Sequence, residues 1–234
     1  MIDIHTHILP FVDDGSKSTE NSLKMLCDLS DNGVTDVIIT PHYRGSFVAS
    51  KSILLEEFEK IKELAKEIPL NLYLGQEIYC NRQAMNLLTE GELLTLNGTK
   101  YVLLEFHYHN PTDIVEAVYV AKTRGFIPIV AHVERYEYLD FKDLYEFYEI
   151  KNLGGLIQIN ASSLLKKSNP AYFKRVTKLL KLGLVDFIAS DCHDFRPIRI
   201  GEVRKLVEKK YGKQTATKLF DTNALPIING QTSV

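Results

Sequence analysis

The chain has no tryptophan, only three cysteines, and no marked excess of either charge. Cys27, Cys80 and Cys192 are odd in number and far apart. They suggest neither a disulfide framework nor a clustered thiolate metal site, and a reducing cytoplasm is the expected compartment. Long apolar runs are missing too: nothing approaches the ~18–20 residues of a membrane span. The apolar start is broken by Asp3, His5 and His7, so neither a secretory signal nor membrane insertion is expected. Lys and Arg total 28 against 30 Asp and Glu, a net charge of −2. That balance argues against nucleic acid as a partner. Low-complexity linkers and internal repeats are also absent. A length of 234 residues then suits one α/β domain over residues 1–234.

What is present is an alternation of short β-rich runs and amphipathic helical runs, the pattern of βα units around a parallel sheet. Seven strands are expected: Ile2–His5, Asp36–Thr40, Asn71–Leu74, Tyr101–Phe106, Ile127–Ala131, Leu156–Ile159 and Val185–Ala189. Helices are expected from Ser18 to Asn32-Gly33 and over Ile53–Ile68, Arg82–Leu88, Thr112–Arg124, Phe141–Leu153, Asn169–Leu182, Arg199–Lys210 and Lys213–Phe220. In an α/β barrel the site lies at the C-terminal ends of the strands. Seven strands point to a barrel one unit short of eight.

Nearly every strand ends in a metal-ligand residue type. His5 and His7 are two apart, so in a strand both imidazoles face one way. Asp13-Asp14-Gly15 follows, and geometry alone does not choose between the two carboxylates. His42, Glu77, Glu105, His132, Asp191 and His193 come at later strand ends. Singly each has a plain explanation: His42 as a turn residue, Glu105 paired with Arg124, Asp191 as a cap. Jointly they do not, because scattered structural residues would fall on helices and outer faces as well. A multinuclear site of imidazoles and carboxylates favours Mn, Fe, Zn or Mg over a thiolate zinc site. His107 and His109 are read as loop residues near the mouth, and Cys192 as pointing away from the metals.

The segments Asp3-Ile4-His5-Thr6-His7, Thr40-Pro41-His42, Gly75-Gln76-Glu77-Ile78, Leu103-Leu104-Glu105-Phe106, Ala131-His132-Val133-Glu134-Arg135-Tyr136 and Ala189-Ser190-Asp191-Cys192-His193 resemble the polymerase-and-histidinol-phosphatase (PHP) superfamily. Within it they resemble the bacterial manganese-dependent protein-tyrosine phosphatases of capsule and exopolysaccharide operons. The resemblance implies a distorted (β/α)7 TIM-like barrel with a three-metal Mn²⁺ cluster. One ion would take His5, His7, Glu77 and Asp191. A second would take Glu77, Glu105 and His132, and a third Asp14, His42 and His193. Arg135 and Arg196 match the phosphate-binding arginines. The implied substrate is a phosphotyrosine protein, a bacterial tyrosine kinase.

Clustered divalent ions lower the pKa of bound water towards ~7, so a metal-bound hydroxide would attack phosphorus. Forked guanidiniums suit the phosphoryl oxygens. The cysteine-based alternative needs Arg six positions after Cys, where Gly33, Asn86 and Ile198 stand instead. Tyr43, Phe47, Tyr79, Phe106, Tyr108, Tyr136, Tyr138 and Phe195 flank the ligands as candidate partners of an aromatic substrate. The loop after His42 offers only Arg44 and Lys51 as cations. The alternative reading is a small-molecule phosphoesterase, such as a histidinol-phosphate phosphatase, on the same scaffold.

Overall fold

A computed structural model describes residues 1–165, 169–194 and 196–230. Its strands are β1 (Ile2–Thr6), β2 (Asp36–Ile39), β3 (His42–Tyr43), β4 (Asn71–Leu74), β5 (Glu77–Tyr79), β6 (Tyr101–Glu105), β7 (Ile127–Val130), β8 (Leu156–Asn160) and β9 (Phe187–Ala189). All pairings between these strands are parallel, in the orders β1-β2-β4 and β3-β5-β6-β7-β8-β9.

The difference from seven expected strands has a local cause. Pro41, which has no N–H to give a ladder, separates β2 from β3. Gly75-Gln76 separates β4 from β5, and a Cβ on Gly75 would sit 2.6 Å from Leu96 Cδ2. Backbone bonds cross both breaks: Thr40 N–H donates to Thr6 O (2.8 Å), Gly75 N–H to Ile39 O (2.8 Å) and Glu77 N–H to Pro41 O (3.1 Å). The chain after β9 returns to β1, where Asp191 N–H donates to His5 O (3.0 Å) and His7 N–H to Cys192 O (3.1 Å).

The period-2 alternation of each strand sorts its residues. Val102 and Leu104 of β6 join the apolar layer under the helices, while Tyr101 and Leu103 join a second cluster with Ile38, Ile129, Phe187 and Ala189. Glu105 continues the Tyr101–Leu103 face, so the face is apolar at its start and carries a carboxylate at its end. Ile157 and Ile159 of β8 pack under the helices, leaving Gln158 and Asn160 on the opposite, buried face.

The helices α1 (Thr19–Asp31), α2 (Lys51–Leu64), α3 (Arg82–Thr89), α4 (Ile114–Thr123), α5 (Tyr145–Asn152), α6 (Pro170–Lys181), α7 (Ile200–Tyr211), α8 (Lys213–Phe220) and α9 (Leu225–Ile228) bury one stripe each. Ser18 caps α1 by accepting from Asn21 N–H at 3.2 Å, and Met25, Leu26 and Leu29 form its buried stripe. Ser50 caps α2, which therefore starts before the expected Ile53. The fifth helix starts four residues later than Phe141, because Leu144 takes a left-handed φ of 67°. No described helix is long and apolar enough to cross a membrane.

Candidate metal centre

Nine polar side chains converge beyond the C-terminal ends of the strands. His5 belongs to β1 and His7 to its exit, His42 begins β3, Glu77 begins β5 and Glu105 ends β6. His132 follows β7, Asp191 and His193 follow β9, and Asp14 lies in the turn before α1. Eight are buried and Asp14 is exposed. His132 (φ 29°) and Asp191 (φ 49°) have left-handed backbones. Such strain in non-glycine residues clusters at functional sites.

Three sets of donor atoms lie within 4.8 Å of one another: His7, Asp14, His42 and His193; His5, His7 and Glu77; and His42, Glu77 and Glu105. The other two candidates border them. Asp191 Oδ1 is 3.6 Å from His5 Nε2 and 3.5 Å from His7 Nε2. His132 Nε2 is 2.9 Å from Glu77 Oε1 and 3.9 Å from Glu105 Oε1. Glu77 is the hub, with Oε2 also 3.2 Å from His5 Nε2, 3.3 Å from His7 Nε2 and 2.8 Å from His42 Nδ1.

Four of the candidate ligands, His5, His7, Glu105 and Asp191, divide labour between their atoms. Their outward atoms are occupied by the protein. Asp13 Oδ2 takes His7 Nδ1 at 2.7 Å, and Gln158 Oε1 lies 3.2 Å from His5 Nδ1. Asp191 Oδ2 accepts from Asn160 Nδ2 (2.6 Å), Arg135 Nη2 (2.8 Å) and Arg196 Nη1 (3.4 Å). Glu105 Oε1 accepts from Arg44 Nη1 (2.7 Å) and the Tyr108 hydroxyl (2.8 Å). Among inward atoms, Glu77 Oε2, Glu105 Oε2 and His42 Nδ1 are buried and make no aligned hydrogen bond, although His42 Nδ1 approaches Glu77 Oε2 to 2.8 Å. Buried carboxylate oxygens without an aligned donor are costly unless a cation, a proton-bearing imidazole or a metal ion, answers them. The set therefore fits divalent metals that take nitrogen and oxygen ligands.

The charges are strongly coupled. Burial opposes ionisation of Glu77, but His5 and His42 hold it well below the usual carboxylate range. Burial works against a charged His42 as well, yet Glu77 and Asp14 push it up to about 11. Burial and the neighbouring His42 oppose a charged His7, while Asp13 brings it to about 9. Burial and the repulsion of Glu77 raise Glu105 to about 7. Burial and the Arg135 guanidinium lower His132 to about 4. Hydrogen bonds from His193 and then His42 hold Asp14 down. Without metal, protons hold this cluster of carboxylates together.

The cluster floors a cleft of about 450 Å³ whose walls include Arg44, Tyr108, Arg135, Tyr172 and Arg196. Both expected arginines are therefore at the site, and both grip Asp191. Sequence reasoning missed the roles of Asp13, Gln158, Asn160 and Tyr172, and undervalued Arg44. Gln158 and Asn160 carried a signal, being two apart on one face of β8 and bonded to each other at 2.9 Å. Asp13 is an orienting partner and Asp14 faces His42 and His193 (3.4 Å each), a choice that geometry makes once the turn is folded. The aromatic candidates divide: Tyr108 lines the cleft, Phe47 stacks on His42, and Phe106 and Tyr136 are buried against each other. Phe195 lies outside the described residues. His107 and His109 lie outside the donor sets, His109 pairing with Glu137 at 2.9 Å. Cys192 is buried and outside them too.

Comparison with known proteins agrees along the whole chain. Residues 1–229 match the model of the family described as capsular polysaccharide synthesis, CpsB/CapC. The tyrosine-protein phosphatase CpsB of Streptococcus pneumoniae is 35% identical over 245 residues, covering 99% of both chains. The tyrosine-protein phosphatase YwqE of Bacillus subtilis is 33% identical over 239 residues, covering 99% of this chain and 93% of its own. A crystal structure from work on YwqE of Bacillus subtilis and CpsB of Streptococcus pneumoniae, described as metal-dependent tyrosine phosphatases, superposes with a TM-score of 0.88 at 28% identity. That match covers 100% of this chain and 96% of the other.

Proposed function

The chain belongs to the CpsB/CapC capsular polysaccharide synthesis family, and from that premise we propose how its cluster of imidazoles and carboxylates works. The protein is a metal-dependent tyrosine phosphatase. The observation that carries this reading at the site is the convergence of buried imidazole and carboxylate donor atoms within 4.8 Å of one another, facing a cleft walled by three arginines.

In finer detail, residues 1–234 form one PHP-type domain, a distorted (β/α)7 barrel in which β2 with β3, and β4 with β5, each count as one broken strand. Three ions would be held, one by His5, His7, Glu77 and Asp191, one by Glu77, Glu105 and His132, and one by Asp14, His42 and His193. Glu77 Oε2 faces His5 and His7 Nε2 (3.2 and 3.3 Å) while Oε1 faces His132 Nε2 (2.9 Å), which supports Glu77 as the ligand shared by the first two ions. Manganese is the expected metal, and the same donors accept Fe, Zn or Mg. Divalent ions in such a site supply Lewis acidity and activate water near neutral pH.

The chain's own residues do the rest. Arg135 uses Nη2 on Asp191 and Nη1 on Tyr108 (3.2 Å), so its plane is fixed before substrate arrives. Arg135 and Arg196 would share the non-bridging phosphoryl oxygens in forked contacts. Tyr108 and Tyr172 on the cleft wall would flank the aryl ring. A tyrosine leaves as a phenolate of pKa ~10, so a strong general acid is unnecessary. The phosphoprotein would be a bacterial tyrosine kinase in the cytoplasm that controls polysaccharide export.

The test is turnover of a phosphotyrosine peptide by protein stripped with chelator and then reloaded with Mn²⁺, Fe²⁺, Zn²⁺ or Mg²⁺. Stripping should abolish turnover and Mn²⁺ should restore it best. Full activity after stripping would overturn the metal reading. A strong preference for histidinol phosphate would overturn the protein substrate.

A further inference from the structure

Glu105 ends an inward face and reaches the centre with two oxygens that meet different neighbours. Oε2 is buried without a hydrogen bond, 3.8 Å from His42 Nδ1. Oε1 takes two donors, the Tyr108 hydroxyl at 2.8 Å and the Arg44 guanidinium at 2.7 Å. Arg44 is the one guanidinium on Glu105 among the described residues. Its backbone is pinned by a tight hairpin, with Arg44 N–H donating to Phe47 O (3.0 Å) and Phe47 N–H to Arg44 O (2.8 Å). Its guanidinium carbon lies 5.8 Å from the Tyr79 ring centre and 5.5 Å from that of Tyr108. A planar cation over two aromatic faces is held in orientation as well as in place.

We propose that Arg44 is a positioning residue for the metal centre: by occupying Glu105 Oε1 it makes Glu105 a one-oxygen ligand and aims Oε2 at the ions. This rests on the metal-centre reading above. The alternative role for a cation on the cleft wall is to grip the substrate phosphate. The two roles separate in measurements made without turnover. Outer partners of metal ligands are worth about 10–100-fold in metal affinity. A phosphate clamp would leave metal affinity alone and weaken phosphate binding.

The structure also makes Arg44 unlike Arg135. Asp191 Oδ2 keeps Asn160 and Arg196 when Arg135 is removed. Glu105 without Arg44 keeps one neutral donor, Tyr108, whose hydroxyl also receives Arg135. A carboxylate so freed can turn, offering both oxygens or neither to the ions.

The experiment titrates Mn²⁺ alone into chelator-stripped wild type, R44Q and R44K, reading bound ion per chain after dialysis and the affinity by calorimetry. Inorganic phosphate inhibition of each loaded protein is read alongside. R44Q should bind Mn²⁺ about 10–100-fold more weakly and keep fewer ions through dialysis. R44K, which restores the charge without the fork, should fall between. R44Q with wild-type Mn²⁺ affinity and stoichiometry would overturn the inference, and weakened phosphate inhibition beside that result would make Arg44 a clamp. Wild type that binds no Mn²⁺ would overturn the metal-centre reading and this inference with it.

Discussion

Glu77 has four imidazoles around two oxygens, and no single neighbour accounts for its low pKa. That crowding separates residues that hold ions from residues that hold substrate. His5→Ala removes a donor within 3.2 Å of Glu77 and should lower metal content together with turnover. Arg135→Ala should lower kcat/KM by about 100-fold or more, the scale of losing a preorganised charge-stabilising donor. Its metal content should stay near wild type, because Asn160 and Arg196 still hold Asp191. Metal analysis beside phosphotyrosine-peptide kinetics decides, and equal metal loss in both variants would undo the role given to Arg135. The convergence of the candidate ligands was legible because their types are few and, Asp14 apart, each falls at or beside a strand end. Gln158 and Asn160 were not, because an amide on a strand reads as ordinary polar filler until its neighbours are known. Arg44 was passed over because a single cation in a loop says nothing of the carboxylate that it meets 61 residues away.

At the scale of elements, the site depends on how sharply the chain turns after β1. Asp13 orients His7 while Asp14, the next residue, faces His42 and His193. Two adjacent side chains meet different atoms of one group, Asp13 the His7 Nδ1 and the His42 N–H and Asp14 the Nε2 of His42 and His193, because Gly15 lets the turn close on β1. A Cβ there would sit 2.2 Å from His7 O and 2.5 Å from His7 Cβ, both on a ligand. Neither is the end of a flexible side chain, so His7 or the turn must move. Gly15→Ala should destabilise the protein by about 1–3 kcal/mol, as overpacking does. A domain of this size should then melt about 2–4 °C lower per kcal/mol. Metal binding at the group of His7, Asp14, His42 and His193 should weaken at the same time, read as ion retained after dialysis. An unchanged melting temperature and metal content would show that the turn adapts without cost. The turn itself was legible from Asp13-Asp14-Gly15. The breaks at Pro41 and Gly75-Gln76 were not, since each apolar run reads as one strand and its interruption is settled by packing against neighbours such as Leu96.

For the whole molecule, protons and metal ions compete for the same nitrogens, and this gives stability an unusual pH dependence. In the metal-free chain His7 is raised to about 9 and His42 to about 11, against ~6.5 for an unfolded histidine. The folded chain then binds more protons than the unfolded chain in that interval. This stabilisation is complete below about pH 6.5 and is lost as pH rises through the folded values. Glu105, raised to about 7, and Asp3, raised to about 6, act in the same direction at lower pH. His132, lowered to about 4, acts in the opposite direction, adding stability as pH rises towards 6.5. Its effect is finished before pH 7, so between pH 7 and 9 the histidines His7 and His42, with His5, which against its burial is raised by Glu77 and Asp191, set the slope. The melting temperature of stripped protein should therefore fall over that range. Metal binding needs the imidazoles neutral, so metal affinity should rise as their protons become easier to displace. Mn²⁺-loaded protein should hold its melting temperature, and the gap between loaded and stripped forms should widen steadily from pH 7 to 9. Thermal melts of both forms in low-salt buffers, with a chelator titration at each pH, measure the gap. A stripped protein whose melting temperature stays flat or rises across pH 7–9 would mean that His7 and His42 are not the proton store that the buried carboxylates make them.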